Sequence, residues 1–212
     1  GIYDQIGGGL SRYSTDYKWL VPHFEKMLYD NALFTTALIE TYQVTGKKEF
    51  ADFANDLLHY IDRDMTSAEG AFFSAEDADS EGVEGKFYVW TQEEVEQILG
   101  RKTASAAIPY YNITQAGNYE GKNILNITRE AKIVAKEVGM PETDFKAEVK
   151  IARDKLLEVR SRRIRPLLDD KVLTSWNALM ISAMAKTGRV LDDADRIQKS
   201  ARAMEFLLSR LR

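Results

Sequence analysis

The chain contains no cysteine. Disulfides, thiolate metal sites and cysteine nucleophiles are thereby excluded within it, and a reducing compartment is compatible, so a cytoplasmic location is the expectation. Histidine is scarce, with two residues, His23 and His59, so pairs of imidazoles are hardly available for metal binding or acid–base work. No apolar run reaches membrane-spanning length and no signal-peptide pattern opens the chain, which argues against a membrane role. Long basic runs are also missing. With Lys+Arg 29 against Asp+Glu 33 and a formal charge of -4, nucleic acid and anionic membranes are disfavoured as partners, and a neutral or cationic ligand is easier to accommodate. No motif asks for a cofactor.

What is present suffices for a packed core: 212 residues, 44% hydrophobic and 10% aromatic, are read as one domain over 1–212. The chain begins at Gly1-Ile2, and its last helix runs to Leu211-Arg212 without a stop signal, so it reads as a piece of something longer. A piece of that kind exposes helix faces meant for neighbours, and self-association of the isolated fragment is expected.

Helical periodicity dominates. Pro22 stands at the favoured first-turn position of a predicted helix carrying Phe24, Met27, Leu28, Phe34, Leu38 and Tyr42, which ends near Thr45-Gly46. Phe50, Phe53, Ala54, Leu57, Leu58, Ile61 and Met65 then mark a second helix, and the two make an αα-hairpin. Thr91 with Glu94 gives a capping-box signature for a short helix to Gly100. Short strands are expected at 112–114 and 123–128, around a turn at Gly117-Asn118, and a helix from about Pro141 to Arg163. Arg160, Arg162, Arg163 and Arg165 at its end read as a solvated helix C-terminus favoured by the dipole. A second hairpin follows, with Trp176, Leu179, Met180 and Ala183 on one helix, Thr187-Gly188 as the turn, and Ile197, Ala201, Met204, Leu207, Leu208 and Leu211 on the other. The recurring Thr-Gly suggests a repeated hairpin. The fold class is therefore all-α: αα-hairpins forming part of an α/α-toroid, with a small β-hairpin insertion.

That insertion is the acidic, aromatic-edged stretch FFSAEDADSEGVEGKFYVW at 72–90. Its carboxylates, Glu76, Asp77, Asp79, Glu81 and Glu84, repel one another, so solvent, a cation or a polar ligand must hold them. Asp77-Ala-Asp79-Ser-Glu81-Gly82 matches the opening of an EF-hand loop, but position twelve is Tyr88 instead of a carboxylate, and no metal site is assigned. A sugar site is the alternative, with one carboxylate as general acid or base and aromatic faces for the ring. Gly7-Gly8-Gly9 lacks the Gly-Lys-Ser/Thr continuation of a phosphate loop and reads as a turn that lets backbone pass closely. His23, placed at a helix start, would sit where the dipole disfavours imidazolium; Glu25 is nearby. His59 reads as a structural or surface histidine, and Asn31, on or near an apolar stripe, would need buried partners.

Three segments, GGGLSRYSTDYKWLVPHFEKMLYDNALF, DADSEGVEGKFYVW and DDKVLTSWNALMISAMA, closely resemble the spermatogenesis-associated, thioredoxin-domain-containing family. The resemblance implies the early part of a six-hairpin α/α-toroid related to glycosidases and N-acylglucosamine 2-epimerases, with a thioredoxin-like domain and later hairpins outside this chain. It implies carbohydrate processing through fold relatives alone. A histidine pair of the epimerase type is not present, since His23 alone stands in a suitable place; a glycoside hydrolase needs two carboxylates about 5 to 10 Å apart.

The resulting expectation is a carbohydrate-active domain binding a carbohydrate ligand, with Asp77, Asp79, His23 and Glu25 as catalytic candidates. Arg12, Tyr13, Glu81, Glu84, Tyr88, Trp90, Asp170, Trp176 and Asn177 are the substrate-binding candidates. The alternative is a non-catalytic scaffold that presents the same surface to a protein partner.

Overall fold

In the computed structural model, which describes residues 1–211, the elements run β1 (Tyr13–Ser14), β2 (Pro22–His23), β3 (Lys26–Met27), α1 (Leu28–Thr45), α2 (Lys48–Asp64), β4 (Ala75–Glu76), β5 (Asp79–Ser80), β6 (Val83–Glu84), α3 (Gln92–Tyr110), α4 (Ala131–Glu137), α5 (Glu142–Arg160), β7 (Leu168–Asp169), α6 (Thr174–Leu191) and α7 (Ala194–Arg210). The fold is mostly helical, built from αα-hairpins with a small β-hairpin inserted, as the sequence indicates. Its residues form two compact units, Gly1–Gly7 with Tyr13–Phe24 and Ala78–Pro166, and Gly8–Arg12 with Glu25–Asp77 and Leu167–Arg212.

The second unit holds both predicted hairpins. Helices α1 and α2, joined at the C-capping Gly46, and α6 and α7 bury Leu28, Leu57, Leu58, Ile61, Met180, Met184 and Leu207 in one core. Antiparallel β3, β4 and β7 form a three-stranded sheet in that order. Gly9 has left-handed φ and lies on the Tyr60 ring, where a Cβ would come within 2.7 Å of it, so the glycine run does serve close backbone passage. The predicted turn at Thr187-Gly188 is not one: both residues lie inside α6, and the helix ends at Asp192 with φ 56. Gly188 is needed for packing, since a Cβ there would meet the Asp193 carbonyl at 2.9 Å. The Thr-Gly repeat therefore carries no structural meaning.

The first unit packs α3, α4 and α5 around Val95, Leu99, Tyr111, Phe145, Ala152 and Leu156. The capping box forms, with Glu94 N–H on Thr91 Oγ1 at 3.1 Å and Thr91 N–H on Glu94 Oε2 at 2.9 Å. Gly100 breaks the helix, as expected, but helix resumes to Tyr110. Of the strands expected at 112–114 and 123–128, the first is irregular and the second reduces to one bridge, Asn123 with Trp90, while the intervening turn is closed by a bridge between Tyr119 and Lys122; α4 was not legible. The acidic hairpin is shorter than predicted. It is β5 and β6 around Glu81-Gly82, both with left-handed φ, the backbone a two-residue turn of this hand requires, while the aromatic ends pack into cores.

The predicted helix at Pro22 is also corrected. Pro22 and His23 pair with Ser14 and Tyr13, while Lys26 and Met27 pair with Glu76 and Ala75, so strand pairing holds this stretch extended until Leu28. Asp16 secures the preceding loop by accepting from the Leu20 and Val21 amides, both at 2.8 Å, and the Val21 bond leads the causes that hold its carboxyl below the usual range.

Candidate functional site

In the second unit, the β3–β4–β7 sheet floors a recess of about 610 Å³, within the range of small-ligand sites. Carboxylates Glu25, Asp77, Asp169 and Asp170 line it with Lys171, over apolar Met27, Ala75 and Leu168. Side chains alternate across strands, so Lys26 and Glu76, register partners, are buried away from solvent. Lys26 Nζ donates to the Gly8 carbonyl at 2.8 Å and sits 4.5 Å from the Tyr60 ring centroid, and Tyr60 Oη donates to Glu76 Oε2 at 2.7 Å. That network fixes the floor on which the recess is built.

Arg12 Nη1 donates to Glu25 Oε2 at 3.1 Å, and this bond, with Tyr29 next, raises the guanidinium pKa. The Tyr29 ring meets the half-buried Trp176 ring edge-on at 4.8 Å. Asp30 adjoins this group electrostatically. Burial pushes its carboxyl pKa up, against the attraction of Arg12 and with the repulsion of Glu25, and its Oδ2 is buried without a hydrogen-bond partner. Asp169 goes the other way: Lys171 at 3.0 Å leads the causes that lower its pKa, and Ser74 helps. One unit thus holds a carboxyl whose surroundings favour its proton and another held ionised.

In the first unit, His23 Nδ1 lies 2.8 Å from Glu84 Oε1 and the Tyr13 ring stacks on the imidazole at 5.0 Å and 19°. Since His23 is in β2 and not at a helix start, the dipole argument for a neutral ring does not apply. Glu84 faces Asp79 across the hairpin, and the Tyr119 hydroxyl, whose pKa burial raises first, feels Glu120, Glu84 and Asp79 in turn. Glu81 pairs with Lys86 at 2.7 Å. Among the described residues no group of three or more His, Cys, Asp and Glu side chains is placed to hold a metal ion.

The predicted site residues therefore fall into two sets. Tyr13, His23, Asp79, Glu81, Glu84, Tyr88 and Trp90 belong to the first unit, and Arg12, Glu25, Asp77, Asp170, Trp176 and Asn177 to the second. Three are structural. Trp90 is fully buried with the Arg163 guanidinium 3.7 Å from its ring centroid, which leaves no face for a sugar. Tyr88 is buried and stacked on Phe24 at 5.5 Å. Asn177 is buried and spends its amide on the Phe72 backbone and the Leu173 carbonyl. Tyr29 and Tyr119 were missed because neither stands in a polar motif; Asp30, visible as a polar group on a helix, gains interest through its burial alone.

No family model matches the chain. Over nearly its whole length it is similar to spermatogenesis-associated protein 20. Identity with the Homo sapiens protein is 36% over 232 residues, covering 98% of this chain and 30% of that protein, and with the Mus musculus protein 34%, covering 98% and 29%. An uncharacterized protein of Caenorhabditis elegans is 31% identical over 234 residues, covering 98% and 32%. The chain spans less than a third of the length of the curated relatives it matches. Among solved structures, D-mannose isomerase shares 13% identity over 95% of this chain and 46% of that one at a TM-score of 0.33, too distant to bear on fold or function. Among the described residues no helix is long and apolar enough to cross a membrane.

Proposed function

We propose that the chain is the sugar-binding helical part of a carbohydrate-active enzyme of the spermatogenesis-associated, thioredoxin-domain-containing family, with the ligand in the recess over β3, β4 and β7. Glycosyl chemistry needs a carboxyl that keeps a proton and a carboxylate that stays charged, near an aromatic surface for the ring's C–H face. What supports the reading is that the recess gathers Glu25, Asp77, Asp169 and Asp170 with Lys171, with Asp169 held ionised by Lys171 and Glu25 paired to Arg12; the same unit also holds Asp30, whose carboxyl pKa burial raises, and the Tyr29–Trp176 ring pair. In this reading Glu25, Asp77 and Asp170 hold hydroxyls, Asp169 is the ionised carboxylate, and Arg12 keeps Glu25 oriented.

Isothermal titration of the chain against a panel of mono- and disaccharides tests it. At least one sugar is expected to bind saturably, with affinity falling about tenfold or more in Asp77→Asn and Asp170→Asn, in line with a lost charged hydrogen bond. Silence across the panel retires the reading.

A further inference from the structure

The basic run at 160–165 does not end as a solvated helix tip. Arg160 is buried and paired in a fork with Asp4, at 2.9 and 2.8 Å. Arg163 turns inward as well. Its guanidinium lies on Trp90 and donates to the Phe87 and Val89 carbonyls, both at 2.9 Å, while its carboxylate contact is Glu94 at a loose 3.4 Å. Burial lowers its pKa, Glu94 opposes that, and neighbouring Arg160 adds to it, as expected of a cation short of negative charge.

This guanidinium borders a recess of about 360 Å³ within the first unit. Lys86, Lys122 and Arg162 also line it, against the carboxylates Glu81 and Glu94. Four cations and two carboxylates leave a formal excess of two positive charges, in a chain whose total is -4. Phe87 and Val89, both buried, supply an apolar wall, with the exposed Ile164 at the edge, and charge interactions beside such a wall are stronger than in open water. Lys122 has no carboxylate partner among the described residues. Lys86 is tied to Glu81 and Arg162 to Glu158, but these pairs are exposed, and such pairs are worth roughly 0 to 1 kcal/mol, so a stronger anion can recruit either cation.

We propose that this recess binds the phosphate group of a small phosphate monoester, with Arg163, held on Trp90, and Lys122 as the main contacts and Lys86 and Arg162 closing from its rim. A phosphate monoester carries about -1.5 to -2 charge at pH 7 and three acceptor oxygens, which matches the uncompensated charge and number of donors; a monocarboxylate matches neither. The small volume limits what can be esterified to it. The site is separate from the carbohydrate reading, because none of its residues belongs to the sheet recess of the second unit.

Phosphorus NMR and isothermal titration of the chain at low salt, with inorganic phosphate and with glycerol 3-phosphate as probes, test the proposal. Saturable binding of both is expected, weakened by added chloride. Lys122→Gln should lower affinity roughly tenfold with an unchanged melting temperature, and Asp77→Asn should leave it alone. Should Lys122→Gln fail to fold, Arg162→Gln on the exposed rim is expected to show a several-fold loss. No saturable binding at millimolar phosphate, or equal affinity in every folded variant, overturns the site.

Discussion

Asn177 bonds both polar groups of one residue, Phe72: its Oδ1 accepts the Phe72 amide at 2.8 Å and its Nδ2 donates to the Phe72 carbonyl at 2.9 Å. The same carboxamide reaches the Leu173 carbonyl just before α6. Asn31 repeats the arrangement at the start of α1, accepting from the Leu10 amide at 2.8 Å and donating to the carbonyls of Leu10 and Met27. Each of these two helices thus clamps an extended segment with a buried asparagine in its first turn.

Asn177→Ala should therefore cost far more than its lost volume suggests. It strands the N–H and C=O of a buried residue, at about 1 to 3 kcal/mol for each unsatisfied group, so a loss of roughly 2 to 6 kcal/mol is expected in urea unfolding. A shift well under 1 kcal/mol would mean that water replaces the amide.

Asp30 and Asp169 should act on stability with opposite pH signs. The folded pKa of Asp30 is raised, so the folded state holds its proton more tightly than the unfolded chain; that stabilisation is complete below the unfolded value near 3.9 and is lost as pH rises through the folded pKa. Asp30→Asn is thus expected to be more stable than the parent at pH 7, with the difference closing in acid. The folded pKa of Asp169 is lowered, so its contribution is present above about 3.9 and is lost as pH falls through the folded value. Asp169→Asn should be the less stable at pH 7. Thermal melts from pH 3 to 8 check both, and parallel curves for the two variants would refute the assignments.

Arg163→Lys keeps the charge but loses the planar fork and most of the stacking on Trp90. Because Arg163 joins Trp90 to two backbone carbonyls, a loss of about 1 to 3 kcal/mol is expected, with a change in tryptophan emission reporting the uncovered indole. Unchanged emission would show that the guanidinium does not cover the ring.

How much of this was legible in the sequence depends on whether the deciding contact is local. The stripe Ala54, Leu57, Leu58, Ile61 and Met65 is local and marks buried residues of α2 and its C-cap. The capping box at Thr91 and Glu94 is local too. Pro22 to Met27 mimics a helix start because Phe24, Met27 and Leu28 happen to fall at helical steps, whereas the pairings that hold it extended come from Tyr13–Ser14 and from Ala75–Glu76, the latter far along the chain. In the same way, the recess gathers Glu25, Asp77 and Asp169 from three distant segments, and burial, invisible in a motif, separates Trp176, still half exposed, from the enclosed Trp90.

The sheet hydrogen bond from the Asp77 amide to the Leu167 carbonyl, at 2.8 Å, brings together two points on the chain between which Ala78–Pro166 intervenes. That whole stretch is therefore spliced into a scaffold whose flanking ends already meet. A tight reverse turn grafted from Asp77 to Leu167 would join the early and late helical hairpins directly, and whether such a chain folds would tell how far the N-terminal segments Gly1–Gly7 and Tyr13–Phe24 depend on the excised stretch.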